Sequence, residues 1–354
     1  VRLGRRAVRR YDEGMTPSVR TREQPVRVHV ASLGCAKNLV DSERLLARLA
    51  TAGAWVGAPA EEADVVLVNT CGFIDPARRE SLAVIDDYLA MKAERPKLKV
   101  FVLGCLVARD GEALRRDLTD VDGFFGVDEH ALVVRACGLA DEETGDTRLL
   151  LTPPHTAYLR ISDGCDNRCT YCTIPSIRGP FRSRPAEAIV AEARSLAALG
   201  VRELVLIGQD TTAYGKDLPG EPGIAGLLEE LDRVDGVRWM RLLYAHPARF
   251  GDELLAAYRR LETLVPYVDL PLQHASDRIL AAMGRRVGRP EIDRLLARIR
   301  DAVPAMTLRT TFIVGFPGET EAEFDDLVRL VEEVRFDHVG AFAYSPEEGT
   351  PAAG

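Results

Sequence analysis

The sequence predicts an α/β fold in two parts: an open parallel α/β sheet over 26–139, then, beyond a linker at 140–155, a partial (β/α)6 barrel over 156–354. Three observations predict it. Apolar runs without alternation recur along the chain, each followed by a segment of helical periodicity, as expected of parallel strands covered on both faces. Three of these runs in the first part end at a cysteine, and six more run-and-helix units fill the second. A length of 354 residues with 46% hydrophobic content is enough to bury two cores, and no stretch approaches the roughly 20 apolar residues of a membrane span.

Residues 1–25 carry seven arginines against Asp12, Glu13 and Glu23, a balance of +4 in a chain of net charge −8. Such a tail suits a nucleic acid or an organellar presequence. Because Val1 is an unusual first residue and Met15 follows soon after, the expectation is instead an over-extended start and a disordered tail. The acidic remainder argues against a broad nucleic-acid face and suits a basic protein partner.

The first strand is predicted over 26–32, ending at Gly34-Cys35, and Leu39, Leu45, Leu46 and Leu49 mark a helix up to Gly53. The run at 64–69 leads to Cys71 and a helix through Leu82, Ile85 and Leu89. A third, at 100–103, leads to Gly104-Cys105 and a helix over 112–118. Parallel strands put their carboxyl ends at one edge, where open α/β sheets bind ligands. Cys35, Cys71 and Cys105, 36 and 34 residues apart, can therefore converge on one metal. The plainer account is three unrelated buried thiols, which would have no reason to keep to strand exits. Cys137, at the end of a helical stretch, is expected to fill core.

The acidic stretch at 141–146 and Pro153-Pro154 form the predicted linker. Beyond it, strands are predicted at 157–161, 204–207, 239–243, 267–270, 308–314 and 339–344, with helices between them, such as 186–199 closed by Gly200. Six units fall two short of a closed eight-unit barrel and leave a lateral opening for a large substrate. At the mouth of this sheet the predicted loops are Gly208-Gln209-Asp210, Gln273-His274 and the one opened by Gly315. An isolated histidine such as His274 is ordinarily a satisfied hydrogen-bonding residue.

The loop after the first of these strands holds Cys165, Cys169 and Cys172 in a Cys-x3-Cys-x2-Cys array. Three thiolates on a four-iron cluster leave one iron free for a substrate or cofactor. Structural zinc needs four ligands, and His155 and His246 are poorly placed to be the fourth. A disulfide framework fits neither seven cysteines nor a chain expected to lack a secretory leader.

The array with Tyr171 before its last cysteine resembles the signature of radical S-adenosylmethionine enzymes. The upstream Gly34-Cys35, Asn69-Thr70-Cys71 and Gly104-Cys105 are similar to the amino-terminal domain of methylthiotransferases. Within that family, the stretch from Leu33 to Glu43, then Cys71-Gly72-Phe73-Ile74-Asp75, and Gln209 to Gly215, resemble the branch that modifies a ribosomal protein, with Ala36 departing from that branch's proline.

The resemblance implies a 4Fe-4S cluster on Cys165, Cys169 and Cys172 that cleaves S-adenosylmethionine to a 5′-deoxyadenosyl radical. It implies a second 4Fe-4S cluster on Cys35, Cys71 and Cys105 that delivers sulfur, and a further S-adenosylmethionine as methyl donor. Tyr171, Gln209 and Gly315 are the implied cofactor contacts. The implied substrate is an aspartate of small-subunit ribosomal protein twelve, modified at its β-carbon, with an electron donor such as flavodoxin or ferredoxin. A cytoplasmic enzyme is expected, with no membrane partner and no direct DNA binding. Members carry a further small β-barrel domain that helps bind substrate, expected to be absent here because the chain stops at Gly354. The alternatives are methylthiolation of a hypermodified adenosine in tRNA and, in another class, a two-cluster electron-transfer protein.

Overall fold

The computed structural model describes residues 24–142, 145–218, 220 and 223–354. The predicted basic tail lies, for its first 23 residues, outside the described residues.

The first part runs β1 (Arg27–Ser32), α1 (Ala36–Thr51), β2 (Trp55–Val56), β3 (Val65–Thr70), α2 (Asp75–Glu94), β4 (Lys99–Gly104), α3 (Cys105–Asp117), β5 (Gly123–Phe125) and α4 (His130–Ala136). Its five strands are all parallel, in the order β2-β1-β3-β4-β5. Successive side chains of a strand point to opposite faces, so β3 serves two cores. Val65 and Leu67 pack with Leu45 and Leu49 of α1 and with Val133 of α4. Val66 and Val68 pack with Ile85 of α2 and with Leu106 and Leu114 of α3. This two-sided burial is why the run shows no alternation.

The second part runs β6 (Thr156–Arg160), β7 (Ser162–Asp163), α5 (Ile174–Arg178), β8 (Arg182–Ser183), α6 (Ala186–Ala198), β9 (Glu203–Ile207), α7 (Gly223–Asp232), β10 (Trp239–Leu242), α8 (Asp252–Arg260), β11 (Leu264–Asp269), α9 (Asp277–Ala282), α10 (Arg289–Ala302), β12 (Thr307–Val314), α11 (Glu321–Val334) and β13 (His338–Ala343). Six strands form one parallel sheet, β13-β12-β11-β10-β9-β6, whose two edge strands do not pair with each other. The sheet is therefore the open six-unit array predicted. Its core takes one face of α6 (Ile189, Ala193, Leu196) together with Leu204, Leu206 and Phe312.

The structure differs from the expectation in four places. β2 and β5, of two and three residues, are too short to carry a run. The antiparallel pair β7-β8 lies inside what reads as the cysteine loop. Finally, α3 begins at Cys105, not at 112, because Gly104 at φ +96 turns the chain straight from strand into helix, and the regular turns break at Asp110.

Candidate functional site

Cys35, Cys71 and Cys105 follow β1, β3 and β4, three adjacent strands of one parallel sheet, so the three leave the same sheet edge. The loops touch in series. A Cβ on Gly34 would lie 2.7 Å from Cys71 Cβ and 3.1 Å from its Sγ, and one on Gly72 would lie 3.0 Å from the Cys105 carbonyl oxygen. Buried amides tie the turns together. Asn38 Nδ2 donates to the carbonyls of Leu33 (2.7 Å) and Thr70 (3.2 Å), and Asn69 Nδ2 donates to Asn38 O (3.0 Å) and Ser42 Oγ (2.8 Å). The Ser81 hydroxyl, from α2, accepts the Cys71 N–H at 3.1 Å. Cys35 is exposed, Cys71 half-buried and Cys105 buried.

The second triad sits beyond β6 and β7 at the mouth of the open barrel. Gly164, at φ +68, admits the turn: a Cβ there would fall 2.0 Å from Pro180 O. The Cys165 N–H donates to Gly179 O (3.1 Å), and Cys172 N–H to Cys169 O (3.2 Å). Asn167 donates to Asp210 Oδ2 (2.8 Å) and accepts from Arg249 (2.9 Å). Arg285 Nη1 lies 3.8 Å from Cys169 Sγ. Arg249 and Arg285 come from other strand exits, and nothing in the sequence marked them. The backbones of Tyr244 and Gln273, at the exits of β10 and β11, are left-handed at φ +59 and +76, a strain that clusters at functional sites.

The two triads share a seam. The Thr173 hydroxyl, next to Cys172, donates to the carbonyl of Phe73 (3.1 Å), two residues past Cys71. Arg178, at the end of α5, donates from Nη2 to Cys105 Sγ at 3.5 Å and to Asp41 Oδ2 at 2.8 Å. Helix α5 thus leaves one triad and ends on the other.

Of the three predicted cofactor contacts, Gln209 is the most telling. Both its amide oxygen and nitrogen are buried without a hydrogen-bond partner among the described residues, which is rare for buried polar groups. Tyr171 packs among Ile279, Met283 and Phe316, and burial beside Cys169 pushes its phenol well up. Gly315 precedes Phe316 and has open space on its Cα, at φ +73. His274 is fully buried, with Nδ1 accepting the Ser276 N–H (3.0 Å), while Nε2 approaches Glu319 Oε1 at 3.4 Å but has no hydrogen-bond partner among the described residues, so the expected satisfied histidine is met on one ring nitrogen only. Cys137 is buried in the first core, also as expected.

Burial pushes the Cys105 thiol up to about 11, against the pull of Arg178, and the Cys172 thiol to about 12. Burial raises Cys71 and Cys165 as well. Such thiols stay protonated at neutral pH unless a metal displaces the proton. Among the described residues no three His, Cys, Asp or Glu side chains converge tightly enough to share one metal ion. Ligands of a single zinc stand about 2.0–2.3 Å from it, whereas the thiolates of a multi-iron cluster bind separate irons and take a wider setting. An all-sulfur donor set is also the one iron–sulfur clusters use.

Comparison with known proteins adds to this geometry. Residues 159–331 match the radical SAM superfamily, and residues 27–126 match Uncharacterized protein family UPF0004. The chain is 48% identical over 339 residues to the ribosomal protein uS12 methylthiotransferase RimO of Anaeromyxobacter sp. (strain Fw109-5), spanning 92% of this chain and 72% of that protein. It is 46% identical over 342 residues to the protein of the same name from Geobacter sulfurreducens, spanning 92% and 76%. Among solved structures, the radical S-adenosylmethionine methyltransferase TsrM from Kitasatospora setae, with cobalamin and a [4Fe-4S] cluster, superposes with a TM-score of 0.66 at 15% identity, over 93% of this chain and 77% of that one. The cobalamin-dependent S-adenosylmethionine radical enzyme OxsB superposes at 0.59 with 13% identity, over 88% and 52%. At those identities the likeness is one of fold.

Proposed function

The chain belongs to the ribosomal protein uS12 methylthiotransferases of the radical SAM superfamily, and we propose that it adds a methylthio group to the β-carbon of an aspartate of uS12. The observation that carries the reading is helix α5, which starts beside one cysteine triad and delivers Arg178 to the other. A transfer that joins two chemistries on one carbon needs both triads within reach of one substrate.

Cys165, Cys169 and Cys172 would hold a 4Fe-4S cluster, and Cys35, Cys71 and Cys105 a second, each leaving one iron for a non-protein ligand. When bound, the clusters and S-adenosylmethionine supply the one-electron chemistry and the sulfur that acid–base side chains lack, since an unactivated C–H has no useful pKa. The protein's part is placement. Gln209 offers an unpaired amide to the cofactor's polar groups, Tyr171 an apolar wall, and Gly315 an unobstructed backbone. The seam of Thr173, Arg178 and Asp41 holds the two triads in register. Residues 26–139 carry the auxiliary site and 156–354 the radical site. A low-potential donor such as flavodoxin or ferredoxin supplies electrons, and a ribosomal substrate puts the enzyme in the cytoplasm. No helix among the described residues is long and apolar enough to cross a membrane.

Mass spectrometry of uS12 after anaerobic incubation with the cluster-loaded protein, S-adenosylmethionine and reductant tests this. One aspartate should become heavier by a methylthio group. An unmodified uS12 alongside methylthiolated tRNA would replace the substrate, and S-adenosylmethionine left intact under reduction would end the enzymatic reading.

A further inference from the structure

Among the described residues, four Lys and Arg side chains fall in the buried set: Lys37, Arg148, Arg160 and Arg178. The three arginines meet carboxylates: Arg148 those of Glu43 and Glu192, Arg160 and Arg178 those of Asp41 and Asp163. Lys37, only 8% exposed, has no carboxylate of the described residues within 4.0 Å. Its ammonium lies 3.7 Å above the Tyr244 ring and 3.3 Å from the carbonyl oxygen of Gly208. The nearby carboxylates are spoken for. Asp163 serves the two arginines, and Asp269 accepts the Tyr244 N–H (3.0 Å) and faces Arg309.

Burial works against the ammonium, and the charge that most favours it is the Cys35 sulfur two residues away, a group that iron would claim. With only a ring and one long carbonyl in direct contact, such a buried charge is costly, and ordinarily an anion completes it. The position says which anion. Lys37 is two residues past Cys35, while Gly208 and Tyr244 are at the exits of β9 and β10, so the ammonium reaches from the auxiliary triad to the barrel mouth beside Gln209. A substrate carbon served by both triads comes close to this ammonium, and in an aspartate that β-carbon is bonded directly to a carboxylate.

We propose that Lys37 is the specificity residue of this site, pairing with the side-chain carboxylate of the target aspartate and thereby fixing the β-carbon between the triads. A charge-assisted contact of about 2.7–2.9 Å to the group next to the reacting carbon restricts its position more than a contact made farther along the peptide would. Asparagine, which offers no charge, and an uncharged nucleoside would both leave the ammonium uncompensated.

The inference rests on the uS12 reading, and the test separates the two. Fluorescent peptides spanning the modified uS12 segment, with aspartate or with asparagine at the target position, are titrated anaerobically onto the protein loaded with both clusters, as wild type and as Lys37→Gln. Wild type should bind the aspartate peptide at least about tenfold tighter, the low end for a hydrogen bond to a charged group, and Lys37→Gln should bind the two alike. Equal binding of both peptides by the wild type overturns the inference, and needs no variant to fold. Discrimination that survives Lys37→Gln at unchanged iron content overturns it as well, and assigns the ammonium to balancing cluster charge. Failure of the parent reading shows separately, as a wild-type protein that leaves uS12 unmodified.

Discussion

Three of the six proposed ligand cysteines each have one side-chain neighbour of different chemistry. Cys71 is held by the Ser81 hydroxyl, Cys105 by the Arg178 guanidinium, and Cys169 lies beside Arg285. Because the two sets of three thiols stand on separate loops, their metal content should separate too. Cys165→Ala and Cys71→Ala are each expected to lose about four irons and retain about four, as separate cubane ligand sets demand. Iron and acid-labile sulfide assayed after anaerobic reconstitution provide the count. Loss of all iron in either variant would mean a single shared site.

At the scale of elements, strand exits and the turns after them do the positioning, and Gly34 is the most exacting. Its φ of +86 is left-handed, and a Cβ there would press on the side chain of Cys71. Gly34→Ala should therefore displace Cys71, costing the auxiliary iron while leaving that bound by the Cys165 loop, and the same assay reads it. A full complement of iron in Gly34→Ala would show that the turn tolerates the shift. Much of this level was legible in the chain. Val65-Val66-Leu67-Val68 could only be a strand buried on both sides, and that fixed where Cys71 would emerge. The local spacing of Cys165, Cys169 and Cys172 needed no fold at all. Other parts were beyond sequence reach for physical reasons. Trp55–Val56 and Gly123–Phe125 gain their strand character from neighbours, not from their own periodicity. Arg178 and Arg285 look like any surface arginine until folding brings them to a sulfur 73 and 116 residues away. Lys37 sat inside a quoted motif, but that no carboxylate of the described residues lies against it is visible only in three dimensions.

Over the whole molecule, α1 is the hinge of the design. Leu45 and Leu49 pack into the first core, while Asp41, one turn before Leu45, and Arg44 reach Arg160 and Glu192 of the second part and Glu43 reaches Arg148 of the linker. Asp41 accepts from Arg160 (2.5 Å) and Arg178 (2.8 Å), and Arg178 in turn reaches Cys105, so a carboxylate from one part orders the guanidinium that touches its own part's cysteine. Burial alone would raise the Asp41 carboxyl, but the two guanidiniums outweigh it and hold the group below its ordinary value. A depressed folded-state pKa means that this stabilisation is fully present above the unfolded value of about 3.9 and is lost as pH falls through the lower, folded one. Asp41→Asn leaves two buried guanidiniums short of a counter-charge, which costs about 3–5 kcal/mol in comparable buried pairs. Urea unfolding of wild type and Asp41→Asn at matched iron content should show that gap undiminished from pH 7 to about pH 5, well above the unfolded carboxylate value. From about pH 4 downward the gap should narrow, because the unfolded chain's Asp41 takes up a proton there, and it should close once pH falls below the lower folded value, where the native carboxyl is protonated too and comes to resemble the variant. A gap that stayed constant across that range would mean that Asp41 acts through shape alone, and the electrostatic account of how the two parts are held in register would have to be given up.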